Sequence, residues 1–300
     1  MRILTHTLLV FGMTLSVASA QQEIRFDEHL DSDRPEAWAM NYFTSITLLS
    51  GLSVPRSRET WSVEIGAEAG WIPHLSKGER IVGFNGTKEE DLNHSPVFAR
   101  PRVTIGLPWR TALTLSYVPP LRIAGLKPHL FAFALERPVY ERDPLTVGLR
   151  FYGQFGTVKG PITCYSGVVK FPPGSVENPY GCEAKSNDRA DQRYLGLELS
   201  AAWKLEQLGG LTPWAAVAGN YLDTGAQVNA LTFGERDRSL LTSESWTISA
   251  SAGASYPLSD RINVSLGLFY SPLPVERPTS TPRDNDALFN VRALISYQFQ

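Results

Sequence analysis

The sequence predicts an all-β fold, an antiparallel β-barrel with an apolar outer face and a polar inner one. Two observations carry this. Several segments of about ten residues alternate strictly between apolar and polar side chains, and successive strand side chains point to opposite faces. The apolar faces also place large aromatic residues at both ends of a strand, whereas a soluble core would place them centrally. Composition agrees: charged residues make up 19% of the 300-residue chain, below the roughly 25% usual for soluble domains, while 43% are hydrophobic. After residue 20 no run of about 18 apolar residues occurs, so membrane-spanning helices are excluded but spanning strands are not. A net charge of −2 gives no electrostatic case for a nucleic-acid partner.

Residues 1–20 read as an export signal. Arg2 supplies the positive start, Leu8 to Val17 is mostly apolar, and Ala18-Ser19-Ala20 fits the small-x-small cleavage rule, so the mature chain is expected to begin at Gln21. The apolar stretch is too short for a membrane anchor, and no Cys follows it to carry a lipid. Residues 21–40 form an N-terminal segment that is periplasmic, an extra strand or a lumen plug. Within it Arg34 to Met40 is distinctive but points to no activity.

Residues 41–300 are assigned to a transmembrane barrel. The clearest strand carries Trp61, Val63, Ile65, Ala67, Ala69 and Trp71 on one face and Glu64, Gly66 and Glu68 on the other. A second carries Trp246, Ile248, Ala250, Ala252, Ala254 and Tyr256 against Ser and Thr, and the last carries Phe289 through Phe299. Weaker copies lie near 41–50, 97–107, 111–118, 129–136, 145–155, 193–204, 213–222 and 261–270. Short connectors (107–110, 138–144, 206–211, 257–260) alternate with long ones (72–96, 156–192, 223–244, 271–286), as expected of short periplasmic turns and long extracellular loops. Single-chain barrels of this kind have even strand numbers, so about twelve strands is the first choice and ten with a plug the second. Ten residues at a tilt of about 40° project to roughly 25 Å, the height of an apolar membrane band. Trp61, Trp71, Trp246, Tyr256 and Phe299 then form an aromatic girdle at its edges, with Trp109, Trp203, Trp214, Tyr117, Tyr221 and Tyr270 also near strand ends.

The two cysteines, Cys164 and Cys182, lie in one Gly-, Pro- and Asn-rich loop. In an oxidising compartment a loop-closing disulfide is the natural reading, ahead of two free thiols; a metal site is poorer still because no His is near. On the inner face, Glu64 and Glu68 lie on one strand with Arg100 and Arg102 on the next, and antiparallel pairing brings Glu68 near Arg100. Arg150, Glu198, Lys204, Arg261 and Arg292 also point inward in this register. Such charges either pair and plug the lumen, or line a water path and tune its selectivity. Catalytic signals are weak. His129 near the outer rim has no Ser within two residues, and no Gly-x-Ser-x-Gly elbow occurs. The loop histidines His74 and His94 read as solvated, so no metal, cofactor or enzymatic activity is expected.

Taken together, the leader ending in Ala20, the strands bracketed by aromatics and the closing strand 287–299 resemble the outer-membrane β-barrel proteins of Gram-negative bacteria. Those barrels commonly end in a strand whose last residue is Phe, similar to a signal for the insertion machinery; here Tyr297 and Phe299 match, offset by one because Gln300 follows. The resemblance, of a porin-like kind, implies an outer-membrane location and a monomer. It implies membrane lipids, lipopolysaccharide and the insertion machinery as partners. The expected role is passive passage of a small solute. The alternatives are a closed structural or surface-interaction barrel binding through its loops, and a lipid-modifying enzyme.

Overall fold

Ten strands close into one barrel in the computed structural model, which describes residues 22–278 and 284–299. They are β1 (Val63–Trp71), β2 (Val97–Leu107), β3 (Thr111–Val118), β4 (Lys127–Arg142), β5 (Leu145–Gly160), β6 (Asp188–Trp203), β7 (Thr212–Gln227), β8 (Leu240–Pro257), β9 (Ile262–Ser271) and β10 (Leu288–Gln298). Each is antiparallel to the next, and β10 pairs with β1 through Ile295 opposite Ala67, which closes the meander. The first choice of twelve strands is therefore corrected to ten. The expected leader, residues 1–20, lies outside the described residues.

The expected strand at 41–50 is also corrected. Residues Pro35–Ile46 form a helix, α1, and the chain continues without regular structure from Leu48 to Pro55, bending at Leu52 and Ser53. Pro35 starts the helix at a position where its missing N–H costs nothing. Trp38 and Tyr42, four residues apart, stack with ring centroids 5.2 Å apart on one side. Tyr42, Phe43, Thr44, Ile46 and Thr47 favour strands by type, which is why the stretch reads as one. The helix is buried on nearly every side, the pattern of an element enclosed by protein. It occupies the barrel lumen.

The barrel wall is apolar outside and polar inside. Trp61 and Trp246 are 71% and 79% exposed on the outer surface, and Trp71, Tyr256 and Phe299 are also exposed there. Leu195, Leu197 and Leu199 of β6 and Leu266 and Leu268 of β9 fill the band between. A continuous apolar belt around a molecule with Ser, Thr, Arg and Glu at its centre suits lipid and not water. Trp214 departs from the expected girdle. It faces inward and is buried, its Nε1 donating to Ser265 Oγ at 3.3 Å. Its neighbours across the ladder are Gly253 and then Gly267, and the indole lies where their side chains would be.

Connections at one end are short (108–110, 143–144, 204–211, 258–261); at the other they include 72–96 and 161–187. The long-loop end is capped by a small sheet joining Glu23–Ile24, Glu235–Asp237, Ala230–Thr232 and Cys182–Ala184. A disulfide joins Cys182, in that sheet, to Cys164 of the loop before it.

The outward face gives a test. Ala250 of β8 lies outward near mid-strand, so Ala250→Arg is expected to cost about 2–4 kcal/mol of membrane stability while Ala250→Leu costs none. Folding into lipid vesicles, read by the slower gel migration of boiled protein, checks this; equal folding of the two variants overturns the face assignment.

Candidate functional site

The lumen is the site that the fold builds most elaborately. Its occupant enters from the long-loop end, where Trp38 Nε1 donates to the Asp286 carbonyl at 3.1 Å and the Glu36 carboxylate accepts from the Asn85 amide. The helix ends at mid-barrel. A helix terminus leaves four carbonyls without intrahelical partners, and no basic residue of α1 itself lies in the last turn. The wall supplies the donors. Arg292 of β10 donates to the carbonyls of Ser45, Ile46 and Leu48 at 3.2, 3.1 and 2.7 Å. Arg100 of β2 donates to Thr47 and Leu48 at 2.6 and 3.1 Å, and the Tyr194 hydroxyl to Thr47 at 2.7 Å. Cations at a helix C-terminus also face the negative end of its dipole.

Those arginines need counter-charge, and one carboxylate provides most of it. Glu68 of β1 accepts from Arg100 and from Arg102 Nε at 2.8 Å, with Arg292 at 3.8 Å. Glu68 and Arg292 are each only 1% exposed. A second group lies nearer the short-turn end. Arg150 of β5 pairs with Glu136 of β4 at 2.8 Å and with Glu198 of β6, and Glu198 accepts from the Gly51 amide at 3.0 Å. A Cβ at Gly51 would overlap the Arg150 guanidinium, so any larger residue there has to push that group off its carboxylates. Below this point Ser57 donates to Glu141, which Arg110 also holds at 2.7 Å, and Arg58 pairs with Glu64 at 3.1 Å. A cavity of about 30 Å³, lined by Arg58, Glu64, Arg102, Glu136 and Arg150, remains beside the segment. That is room for a water, not for a solute.

Of the inward charges expected from the sequence, Glu64, Glu68, Arg100, Arg102, Arg150, Glu198 and Arg292 lie on the inner face, and all but Glu64 are buried. Lys204 and Arg261 do not: both are exposed at the short-turn end, and Lys204 pairs with Glu206 at 2.5 Å in a turn. Strand β6 ends at Trp203 and β9 begins at Ile262, so neither residue has a strand to turn it inward. Glu136 was missed by sequence reasoning. Its signal was its place directly opposite Arg150, which required the β4–β5 register. His129 lies on the outer wall with its ring edge-on to Tyr117 at 5.7 Å. No cluster of three or more metal-ligating side chains occurs among the described residues, and no described helix is long and apolar enough to cross a membrane.

A third group ties the loops over the lumen. Lys88 Nζ lies 2.9 Å from both Glu90 oxygens and 2.7 Å from the Thr163 carbonyl. Asp188 accepts from the amides of Ile162, Thr163 and Asn229. Burial lifts the Glu90 carboxyl to about 7 against the pull of Lys88, and the Asp188 and Glu36 carboxylates add to the rise.

No family model matches the chain, and no curated protein matches it in sequence. Among solved structures it is similar to the outer-membrane protease OmpT of Escherichia coli, at 8% identity and a TM-score of 0.41 over 82% of this chain and 99% of that one. It is similar to the translocator domain of the autotransporter NalP of Neisseria meningitidis, at 11% identity and 0.40 over 81% and 90%. A third is the toluene transporter TodX of Pseudomonas putida, at 12% and 0.34 over 82% and 92%. Likenesses this distant say nothing of activity; the ten-stranded closed barrel rests on the strand pairing itself.

Two outcomes are expected. Glu68→Gln leaves Arg100, Arg102 and Arg292 without their shared carboxylate and should cost about 3–5 kcal/mol in chemical unfolding, while Glu64→Gln, at a single pair whose side chains are 18% and 19% exposed, should cost clearly less. Equal losses would remove the clamp from its central role. The second concerns pH. Glu90 holds its proton more tightly folded than unfolded, so its contribution is fully present below about pH 4.5 and is lost as pH rises through about 7. Hydrogen-exchange protection of residues 88–92 should therefore fall over that range, and Glu90→Gln should flatten the fall.

Proposed function

We propose that this protein spans the bacterial outer membrane as a barrel sealed by its own N-terminal segment, and that it acts at the cell surface through the loops the sealed barrel carries. The supporting observation is the filled lumen: residues 35–55 occupy it, held by four arginines over residues 45–53. The aromatic-edged outer belt and the unequal loop lengths support the membrane and the outward direction of the long loops. In this reading the chain is a monomer, and its partners are the surrounding lipids and lipopolysaccharide, the insertion machinery and whatever the loop cap binds. No reaction is assigned to it.

A second reading, a gated channel for a small solute, has one specific observation in its favour. The wall behind the segment carries Thr104, Thr114, Ser200, Ser249 and Ser296, a surface that would hold water if the segment withdrew. In that case Glu68, Arg100, Arg102, Arg150, Glu198 and Arg292 would set selectivity.

Planar-bilayer recording separates the two. The sealed reading expects no stepwise conductance from the protein, nor from Arg100→Ala/Arg292→Ala, which should only unfold more easily. Discrete openings in the double variant, selective for cations, would replace it with the gated channel.

A further inference from the structure

Above the apolar belt on the outer wall, charged side chains find a partner on a neighbouring strand, even where two acids, Asp223 and Glu244, stand opposite each other. Arg193 of β6 lies 3.2 Å from Asp223 of β7, and the Tyr221 hydroxyl donates to Glu244 of β8 at 2.6 Å. One stretch of the rim breaks this pattern. Lys127 of β4 stands directly opposite Lys159 of β5, and Arg189 of β6 stands directly opposite Lys159 on its other side. All three lie on the outward face of their strands. Arg189 is shared with Asp191 at 2.7 Å, but neither lysine has a carboxylate or hydrogen-bond partner among the described residues.

Like charges directly opposite one another destabilise a sheet. Three cations and one carboxylate on adjacent strands are therefore a standing cost unless an anion lies on them. Strands lie about 4.8 Å apart, so the row spans roughly 10 Å, wider than one phosphate group.

What lies below the row gives the rest of the ligand. Two rungs down, Phe131 faces Phe155 with centroids 5.1 Å apart, and beyond them Phe133 and Phe151 lie 6.1 Å apart. This is a strip of aromatic rings in the lipid-facing belt, directly in line with the cations. Beside the row, the connector 119–126 exposes Leu121 and Ile123 with Arg122 between them, and Leu126 packs on Gly160 next to Lys159.

We propose that Lys127, Lys159 and Arg189 form a binding site for an outer-leaflet lipid carrying more than one phosphate, its acyl chains lying on the Phe131–Phe155 and Phe133–Phe151 pairs. This rests on the reading that the barrel spans the outer membrane with its long loops outward, and it assigns to that surface a specific lipid where the belt alone would accept any. The charge row selects the phosphates and the rings select an acylated carrier, so neither free phosphate nor a neutral lipid satisfies both.

The test uses the whole protein folded in phosphatidylcholine nanodiscs, with native mass spectrometry and the thermal midpoint as readouts. The probes are a bis-phosphorylated acylated glucosamine disaccharide, its dephosphorylated form, phosphatidylglycerol and inorganic phosphate. The protein should bind the bis-phosphorylated lipid at least about tenfold more tightly than the dephosphorylated one, a difference of about 1.4 kcal/mol. The double variant Lys127→Ala/Lys159→Ala should lose that preference, with a lipid-free midpoint no lower than the parent's because the opposed charges are gone. Lys204→Ala, at the opposite, short-turn end of the barrel, should keep the preference. Retention of the preference in the double variant overturns the site. Equal binding of phosphatidylglycerol overturns the requirement for more than one phosphate, and full competition by inorganic phosphate overturns the lipid. Heat-modifiable gel migration of the same samples reports the barrel separately, so a failure of the membrane reading is seen as such.

Discussion

A helix that ends inside a barrel poses one physical problem, and most of the interior is arranged around its solution. The last carbonyls of α1 are buried at mid-membrane depth, far from water, where an unpaired polar group costs several kcal/mol. Arg292 and Arg100 reach them from β10 and β2, the strands on either side of β1. A buried guanidinium is itself costly unless paired, which is the reason for Glu68 on the strand between them. The same logic repeats one level down, where Glu136 and Glu198 flank Arg150 and the Gly51 amide completes the set. Each charge inside the barrel answers another, and the occupying segment is a member of both networks.

The path of the segment fixes what each end of the molecule can do. Residues 22–34 lie among the long loops, where Asp27–His29 pair in parallel with β8 and Glu23–Ile24 extend the small sheet. From there the chain runs down the lumen and leaves at the short-turn end, where Trp61 bonds to Gly106 and β1 begins. With ten strands the first begins and the last ends at that same end, so the barrel closes without a crossover. The cap of disulfide, small sheet and Lys88–Glu90–Asp188 ties therefore sits over a filled barrel, and loops and lumen share one chain segment.

The outside follows a different rule. Lipid imposes apolarity between two aromatic edges, and the strands meet it with Leu, Val, Ile and Ala and with the paired Phe rings of β4 and β5. At the rim the belt gives way to charge. The row from Lys127 to Arg189 differs from its surroundings because its two lysines have no partner among the described residues.

The amino-acid sequence by itself determined the class of fold and both of its faces. Period-2 alternation is local, so Trp61 to Trp71 and Trp246 to Tyr256 reveal an outer face without knowledge of any neighbour. It also brought Glu68 near Arg100, because both charges lie on the inner faces of two antiparallel strands adjacent in the chain, and the structure sets them directly opposite. What it could not determine depended on partners distant in the chain. Residues 41–46 have strand-like side chains, and only enclosure by the wall and capping from residues 50 to 250 positions away make a helix there the better state. Trp214 looks like a girdle residue until Gly253 and Gly267 leave room for it inside. The ten-strand count followed from β10 pairing with β1, and tertiary structure decided that closure because no local signal links the two ends of a chain.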